Sequence, residues 1–534
     1  KEVFDYFKNR QLVTIFFFGI ASGFPWVMTG SAMSGWLKDE GLSRSSIGLF
    51  GLIFAAYSIN FLWSPLTDRI KIWLLHSTLG QRKSWIFCTQ LIIVAATLAL
   101  GYMDAKQHLP LMALFALFIT LAGSTQDIAI DAYRIDSLSD KNSSAMAAGS
   151  AMATAGWWTG FAGLGSVPFI LVDRPGWIWP DVYWVLAVIT VVLMFNTLIA
   201  KEPNSSNRDE VINTIQVSYL KLMPSQGTRP YWVLLILPLI FVCIIYANVG
   251  YPYWPEQLLA IDYQFSSLTL VVLGLLILFY QQLNAMNASL NAATTTNTNK
   301  QGMVSRHTVV HQLAAWLIAT SVAPIQEFFQ RNGFKLAISI LLFVFLFKIG
   351  EAYLGRMSIV FYREVGFSNE DIAYYSKLVH WATTIVFSLI GSVFTIRYGI
   401  LKGLFIGGIA MSASNLLFAA MAIVGPNKLL FGFTVFVDGF TSAWGSVAFV
   451  ALLSVLCNKT FTASQYALMA SLGTFGRVML GSYSGIVVDW LDGNWALFFV
   501  MTSLMVIPSL MFLYAIRKPL TRLIDKRDMS LEAS

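Results

Sequence analysis

The sequence predicts an all-α protein that crosses a membrane many times. Hydrophobic residues make up 56% of its 534 residues and charged residues only 12%, about half the share of charged residues in soluble domains. Uncharged stretches near the ~20 residues that a bilayer-spanning helix requires recur along the whole chain. The alternative, a large soluble helical protein, is disfavoured because it could not bury so many uncharged helices.

Apolar stretches and the breaks between them predict fourteen spans. They cover residues 12–36, 45–66, 84–103, 110–133, 144–172, 182–200, 231–249, 267–283, 335–355, 370–396, 403–424, 428–456, 462–488 and 494–516.

The distribution of basic residues predicts how these spans are oriented. With a cytoplasmic N-terminus, 25 Lys and Arg residues lie in inside loops, 7 in outside loops and 3 within spans. Cytoplasmic loops of membrane proteins carry an excess of Lys and Arg. We therefore expect both termini in the cytoplasm, and we interpret the net charge of +7 as a topology signal that does not indicate nucleic-acid binding.

The fourteen spans divide as six, two and six. Residues 1–200 are predicted to form one six-helix bundle, and residues 334–534 a second bundle with a cytoplasmic tail. Between them, residues 201–333 comprise a polar loop, the helix pair 231–249 and 267–283, and a tract rich in Asn and Thr whose composition indicates a flexible linker. Two bundles of six helices are the plan of the major facilitator fold.

The stretch "GSTQDIAIDAYRID" at residues 123–136 places carboxylates at the end of an apolar span. Asp127 and Asp131 are four residues apart and share one helix face, and Arg134 is within pairing reach of Asp131. Ionisable groups at membrane depth are costly and mark functional sites. Because two carboxylates on one face repel, one of them can take up and release a proton near neutral pH. The alternatives are proton coupling or substrate contact, and a structural clamp.

The second half has its own charged set. In "FKIGEAYLG", Lys348 and Glu351 have the spacing of an internal ion pair, and Asp438 lies ~15 Å into a helix that matches the helix of Asp127. Lys377 and Arg477 complete this set. Basic residues in a cavity suit an anionic substrate, and protonatable acids suit coupling to an ion.

The loop after the second span carries a separate charge pattern. Asp-Arg closes one predicted helix, and Gln-Arg-Lys opens the next, which resembles the loop signature of the major facilitator family. By that resemblance the charges clamp helix ends in one conformation and release them in the other. The predicted clamp residues are Asp68, Arg69, Arg82, Lys83, Arg134 and Asp136.

Motifs of other protein classes are missing from the sequence. It has no phosphate-binding Gly-x-x-x-x-Gly-Lys-Ser/Thr loop, no cluster with metal-ligand spacing and no Gly-x-Ser-x-Gly nucleophile motif. A membrane-bound acyltransferase would need a buried His with a carboxylate or Asn partner, and His380 has none nearby in sequence. We therefore expect no enzyme activity, no metal and no cofactor beyond a proton gradient.

Four segments resemble one transporter family. They are "GIASGFPWVMTGSAMSGWL" (19–37), "FLWSPLTDR" (61–69), "STQDIAIDAYRID" (124–136) and "SVAFVALLSVLCNKTFTASQYALMASLGTFGRV" (446–478). They are similar to the AmpG-type muropeptide permeases, and the similarity extends over nearly all of residues 12–200 and 334–490. The inserted helix pair is a departure, since some members carry an extra pair at the C-terminus instead.

The resemblance implies a function and a set of site residues. Members import GlcNAc-anhydroMurNAc-peptides across the bacterial inner membrane for cell-wall recycling, driven by protons, and this import feeds control of β-lactamase expression. It implies a monomer in the lipid bilayer with an anhydro-muropeptide substrate; siderophore or acetyl-CoA carriers of the same family are the alternatives. Three tryptophans, Trp26, Trp157 and Trp158, would suit stacking on sugar rings, although interfacial anchoring explains Trp equally well. The family-matching positions are Gln126, Asp127, Asp131, Lys348, Glu351, Lys377, Asp438, Asn458, Lys459 and Arg477.

Overall fold

The computed structural model describes residues 10–41, 51–138, 143–203, 208–222, 315–316, 318–368, 371–482 and 484–532, and this part of the chain is helical with no strand. The helices up to residue 203 form the N-terminal half. Its helices are α1 (Arg10–Gly23), α2 (Met33–Asp39), α3 (Ala55–Ile59), α4 (Ser64–Arg69), α5 (Leu75–Leu79), α6 (Gln81–Leu100), α7 (Leu109–Leu138), α8 (Ser143–Trp158), α9 (Val167–Val172) and α10 (Trp179–Ile199).

One helix, α11 (Arg208–Leu222), follows in a separate compact unit between residues 207 and 323. The C-terminal half then packs with the N-terminal half into one unit. Its helices are α12 (Ala323–Asn332), α13 (Phe334–Leu346), α14 (Ile349–Val365), α15 (His380–Tyr398), α16 (Ile400–Val424), α17 (Lys428–Leu456), α18 (Thr462–Ser482), α19 (Ser484–Trp490), α20 (Trp495–Leu504) and α21 (Ile507–Glu532).

Ten helical stretches among the described residues are long and apolar enough to cross a membrane. The predicted pair 231–249 and 267–283 and the linker at 284–308 lie outside the described residues, so the count of fourteen stays a prediction. The predicted span 45–66 is described only from residue 51, where it consists of short helical pieces that end with α4. Helix α12 was not predicted, because its ten residues lie in a stretch assigned to a loop.

Several spans that the apolar pattern predicts as continuous are interrupted. The first contains a π-helical turn at Val27–Ala32, and the predicted span 335–355 breaks at Lys348, whose φ of −106° and ψ of 17° are not helical. Hydrophobic periodicity reports burial and does not register such breaks. The second interruption places Lys348 at the start of α14, inside the membrane.

Glycines set the distance between α1 and α8. A Cβ added at Gly156 would lie 2.2 Å from the carbonyl oxygen of Phe16, and one at Gly160 would lie 2.3 Å from that of Ile20. Gly19 and Gly23 face the same contact from α1, each with an added Cβ 2.6 Å or less from a backbone oxygen of α8. These two small-xxx-small pairs pack against each other, as backbone contact between membrane helices requires.

We expect Gly156→Ala to destabilise the protein by about 1–3 kcal/mol, because the added methyl must push two backbones apart. The measurement is thermal unfolding of the detergent-purified protein. Gly355→Ala is the matched control, since an added Cβ there meets nothing within 4 Å and Ala is the better helix former. Equal melting temperatures for the two variants would contradict the packing role of Gly156.

The two halves share a hydrophobic core near the ends of α7 and α17. Ile135 and Leu138 of α7 cluster there with Leu452 and Val455 of α17 and with Tyr466 of α18, all below 9% exposed. This core joins the two halves at one end of the bundle, which we call the closed end.

Candidate functional site

The buried polar face of α7 begins with Gln126 and Asp127. Gln126 Nε2 donates to the carbonyl oxygen of Ala21 at 2.6 Å, and Ser22 Oγ donates to Asp127 Oδ1 at 2.6 Å. Tyr57 lies close enough to Asp127 for an electrostatic interaction. Asp127 therefore points toward α1 and α3, inside the N-terminal half and away from lipid.

One turn further along α7, Asp131 faces the C-terminal half. Arg134 Nη2 donates to Asp131 Oδ1 at 2.9 Å, which is the pair that the spacing predicts. Arg134 Nη1 donates to Ser454 Oγ at 2.9 Å, and its guanidinium carbon lies 5.3 Å from the ring centroid of Tyr466. The Asp131 side chain is 31% exposed while Arg134 is 1% exposed. The acid is thus partly exposed beside the contact between the halves, and Arg134 joins the halves.

A second network lies in the C-terminal half, where α14 meets α17. Lys348 Nζ lies 2.9 Å from Glu351 Oε2 and 2.6 Å from Ser446 Oγ. Ser442 Oγ donates to Glu351 Oε1 at 2.9 Å. The predicted ion pair is present, and the break before α14 lets Lys348 reach across to α17.

Asp438 lies on α17 one turn from Ser442. Its Oδ2 is 4.0 Å from His380 Nδ1. The ring of His380 in turn lies 5.4 Å from that of Trp158, centroid to centroid, in an edge-on arrangement. This chain of groups runs from the C-terminal half to the N-terminal half.

For the last two residues of the predicted set, Lys377 and Arg477, the described part of the chain shows no ion pair. The side chain of Lys377 lies outside the described residues. Arg477 on α18 is exposed, and its charge reaches Glu351 without a direct ion pair.

The predicted clamp residues Asp68, Arg82 and Asp136 meet at the closed end of the bundle. Arg82 Nη2 lies 2.7 Å from Asp68 Oδ1, and its Nε lies 2.8 Å from Asp136 Oδ2. All three side chains are at most 4% exposed. One guanidinium therefore holds α4, α6 and the end of α7 together through buried ion pairs.

The same carboxylates reach the C-terminal half. Asp68 Oδ2 accepts from the backbone N–H of Ser464 at 2.9 Å and from its hydroxyl at 2.6 Å. Asp136 Oδ1 accepts from Thr462 Oγ1 at 2.7 Å. A carboxylate on the first N–H groups of a helix is stabilised by unpaired donors and by the helix dipole. The clamp residues and the N-terminus of α18 therefore form one hydrogen-bonded network that links the N-terminal and C-terminal halves.

Glu202 holds the start of α6, the helix that carries the clamp residue Arg82. Its carboxylate accepts from the backbone N–H groups of Arg82 and Lys83 at 2.7 and 3.1 Å, capping the start of α6. Burial raises the pKa of Glu202, and these N–H groups and the two basic side chains oppose the rise. Lys83 Nζ donates to the Leu198 carbonyl oxygen at 3.3 Å. Arg69, at the end of α4, is half-buried.

The three predicted sugar-stacking tryptophans lie on one side of the interface. Trp26 stacks on Phe54 at 4.7 Å and contacts Tyr57 at 4.4 Å, centroid to centroid. Trp157 lies 6.2 Å from Trp26, and Trp158 adjoins Trp157 at 5.4 Å. The Trp26 indole N–H is buried and has no hydrogen-bond partner within the described ranges, which leaves one donor there without an acceptor.

The structure adds residues that sequence reasoning missed. Ser22, Tyr466, Ser442 and Ser446 complete the charged networks, and Ser464, Thr462 and Glu202 complete the clamp. Most are common polar residues without a motif of their own. Glu202 carried one signal, an acid directly after a membrane span. Within the described ranges no cluster of three His, Cys, Asp or Glu side chains is arranged to hold a metal ion.

Comparison with known proteins defines the class. A sequence profile described as the Major Facilitator Superfamily matches residues 15–286, half of the chain. The protein belongs to the Major Facilitator Superfamily and is thus a multi-pass membrane transporter, not an enzyme.

Solved structures share its fold. A proton:xylose symporter, XylE, aligns over 96% of this chain and 95% of its own with a TM-score of 0.53 at 11% identity. The human organic anion transporter MFSD10 covers 94% of this chain and 99% of its own with a TM-score of 0.51 at 13% identity.

Relatives found by sequence comparison indicate which group of transporters the protein resembles. The anhydromuropeptide permease of Escherichia coli K12 is 26% identical over 516 residues, which cover 96% of this chain and 81% of that protein. The putative transporter AmpG 4 of Rickettsia conorii is 26% identical over 507 residues, or 95% of this chain and 96% of the relative. The resemblance to AmpG-type permeases predicted from the sequence is confirmed.

Proposed function

We propose that the protein imports GlcNAc-anhydroMurNAc-peptides across the bacterial inner membrane by proton-coupled alternating access. The observation that carries this proposal is the alignment with the anhydromuropeptide permease over 96% of the chain. The split of basic residues, 25 inside and 7 outside, supports cytoplasmic termini and therefore an even number of spans. We further propose that it acts as a monomer and needs no cofactor other than the proton gradient.

The charged and aromatic groups support this substrate. A muropeptide presents sugar rings, peptide amides and carboxylates. Trp26 with its free indole N–H suits a sugar hydroxyl, and Lys348 is a cation beside the interface with 15% of its side chain exposed. Aromatic faces and a cation on opposite halves fit a ligand with a sugar at one end and an acidic peptide at the other.

Of the three candidate carboxylates for proton coupling, Asp127, Asp131 and Asp438, the first and the last suit the role best. Among the described residues Asp127 has no cationic partner, and its hydrogen bond comes from the Ser22 hydroxyl. Asp438 has His380 at the 4.0 Å limit of an ion pair. Carboxylates at membrane depth that lack a close counter-ion can exist in the protonated form. Asp131 differs because it forms an ion pair with Arg134, which favours its charged form. Proton binding at Asp127 and Asp438 would accompany substrate binding, and opening of the clamp would release both.

The proposal is tested in a Gram-negative strain that lacks its own muropeptide permease. Expression of this protein should restore uptake of labelled GlcNAc-anhydroMurNAc-peptide and induction of β-lactamase, while the empty vector should not. The E. coli relative is the positive control. Siderophore and acetyl-CoA are the competing substrates; uptake of either one in place of the muropeptide would identify one of the alternative carriers instead.

A further inference from the structure

A basic cleft lies on the outer surface of the C-terminal half, away from the site described above. It is a cavity of about 430 Å³ between the start of α16 and the second part of α21. The cations that line it are Lys402, Arg517, Lys518 and Arg522, beside the apolar residues Leu401 and Phe405.

In the part of the chain that the structure describes, no carboxylate lines this cleft and none of its four cations forms an ion pair. Lys518 and Arg522 are four residues apart on one helix face, where like charges repel. An excess of basic residues on one membrane side explains their number. That excess does not explain why α16 and α21, which are distant in sequence, place their basic residues around one cavity.

Arg517 is held in a fixed orientation at the rim. Its guanidinium carbon lies 3.4 Å from the ring centroid of Tyr514, and Nη1 donates to the Tyr514 carbonyl oxygen at 2.8 Å. Phe405 packs edge-on against the same ring at 6.3 Å. A guanidinium fixed by stacking retains other N–H groups for an anion, and its planar fork matches phosphate oxygens.

Apolar surface continues from the cleft toward the membrane centre. Ile406 and Ile409 on α16 are 41% and 58% exposed, and Met511 on α21 is 68% exposed. Below the cleft the two helices touch at Gly408, where an added Cβ would lie 2.6 Å from Leu510 Cδ2. Cations at a helix end above an exposed apolar groove match a lipid with a charged head and acyl chains.

We propose that this cleft binds the headgroup phosphate of an anionic phospholipid, with the acyl chains along the groove between α16 and α21. Four cations exceed the charge of a single phosphate, so a lipid with two phosphates should bind more tightly than one with a single phosphate. Basic pockets between membrane helices are suited to such headgroups. The inference is independent of the transported substrate.

The test is lipid retention, measured by native mass spectrometry of the protein from nanodiscs of phosphatidylcholine mixed with phosphatidylglycerol or with cardiolipin. The native protein should retain anionic lipid, cardiolipin most strongly. The variant Lys402→Gln/Arg517→Gln/Arg522→Gln should retain at least about tenfold less, since each basic residue near an anionic headgroup contributes about 1 kcal/mol.

The matched control is Lys335→Gln/Arg397→Gln/Lys526→Gln, which removes the same charge from exposed positions outside the cleft. Its retention should stay within about twofold of the native protein, well inside the tenfold loss expected above. An equal loss of lipid retention in both triple variants would mean that the total positive charge, and not this cleft, holds the lipid, and would overturn the proposed site. Displacement of the lipid by inorganic phosphate would overturn the lipid assignment in favour of a free-phosphate site.

Discussion

Replacing Asp127 with asparagine is expected to abolish uptake driven by a proton gradient while the protein still inserts into the membrane. The asparagine amide oxygen can accept the hydrogen bond that Ser22 donates at 2.6 Å, so the local geometry survives. The side chain can no longer lose or gain a proton. Uptake into proteoliposomes under an imposed pH gradient should fall to the level of vesicles without protein.

Exchange measurements separate coupling from substrate binding. In vesicles loaded with unlabelled muropeptide, the Asp127→Asn variant should still exchange labelled substrate, because exchange needs no net proton movement. Asp489→Asn is the control, since that carboxylate is exposed at the end of α19 and should support normal uptake. Normal gradient-driven uptake by Asp127→Asn would remove the coupling role, and loss of exchange as well would assign Asp127 to substrate binding.

The contacts that could be predicted from the sequence are local. The pairs Asp131–Arg134 and Lys348–Glu351 are three residues apart, so helix geometry alone brings them together. Apolar length likewise predicted spans such as 428–456, where α17 is found. In each case the neighbours are fixed by the backbone of a single element.

The contacts that link the two halves at the site join residues that are distant in sequence. Asp68 meets Ser464 across 396 residues, and Arg134 meets Ser454 across 320. No spacing rule reports such pairs, because they arise only when whole bundles pack. The acidic stretch of α7 was predicted to serve either coupling or a clamp. In the structure its members diverge: Asp136 lies in the clamp, while Asp127, about one turn before Asp131 on α7, forms no ion pair with any described residue.

Replacing Arg82 with glutamine is expected to shift the transporter out of the conformation in which the clamp is closed. The change removes the cation from two carboxylates that are at most 4% exposed. Removing one partner of a buried ion pair costs about 3–5 kcal/mol, which corresponds to more than a hundredfold change in the equilibrium between closed and open forms. The cost falls on the closed form alone, because opening exposes Asp68 and Asp136 to water.

A buried position at the closed end reports this shift. Ala467 is 4% exposed and packs against Ile128 and Ala132 of the opposite half. A cysteine at Ala467, in a background without Cys88, Cys243 and Cys457, should react with maleimide much faster in the Arg82→Gln variant. Lys83→Gln is the matched control, since the Lys83 ammonium donates to a carbonyl oxygen and to no described carboxylate. The reactivity of this variant should stay near that of the parent.

Neutralising the partners distinguishes release of the clamp from misfolding. Adding Asp68→Asn and Asp136→Asn to Arg82→Gln removes the unpaired charges and leaves oxygens that can accept from Ser464 and Thr462. Replacing all members of a buried ion network is far less costly than removing one, so protection at position 467 should return. Continued fast labelling in this triple variant, or equal labelling of the Arg82→Gln and Lys83→Gln proteins, would mean that buried charge does not hold the halves together.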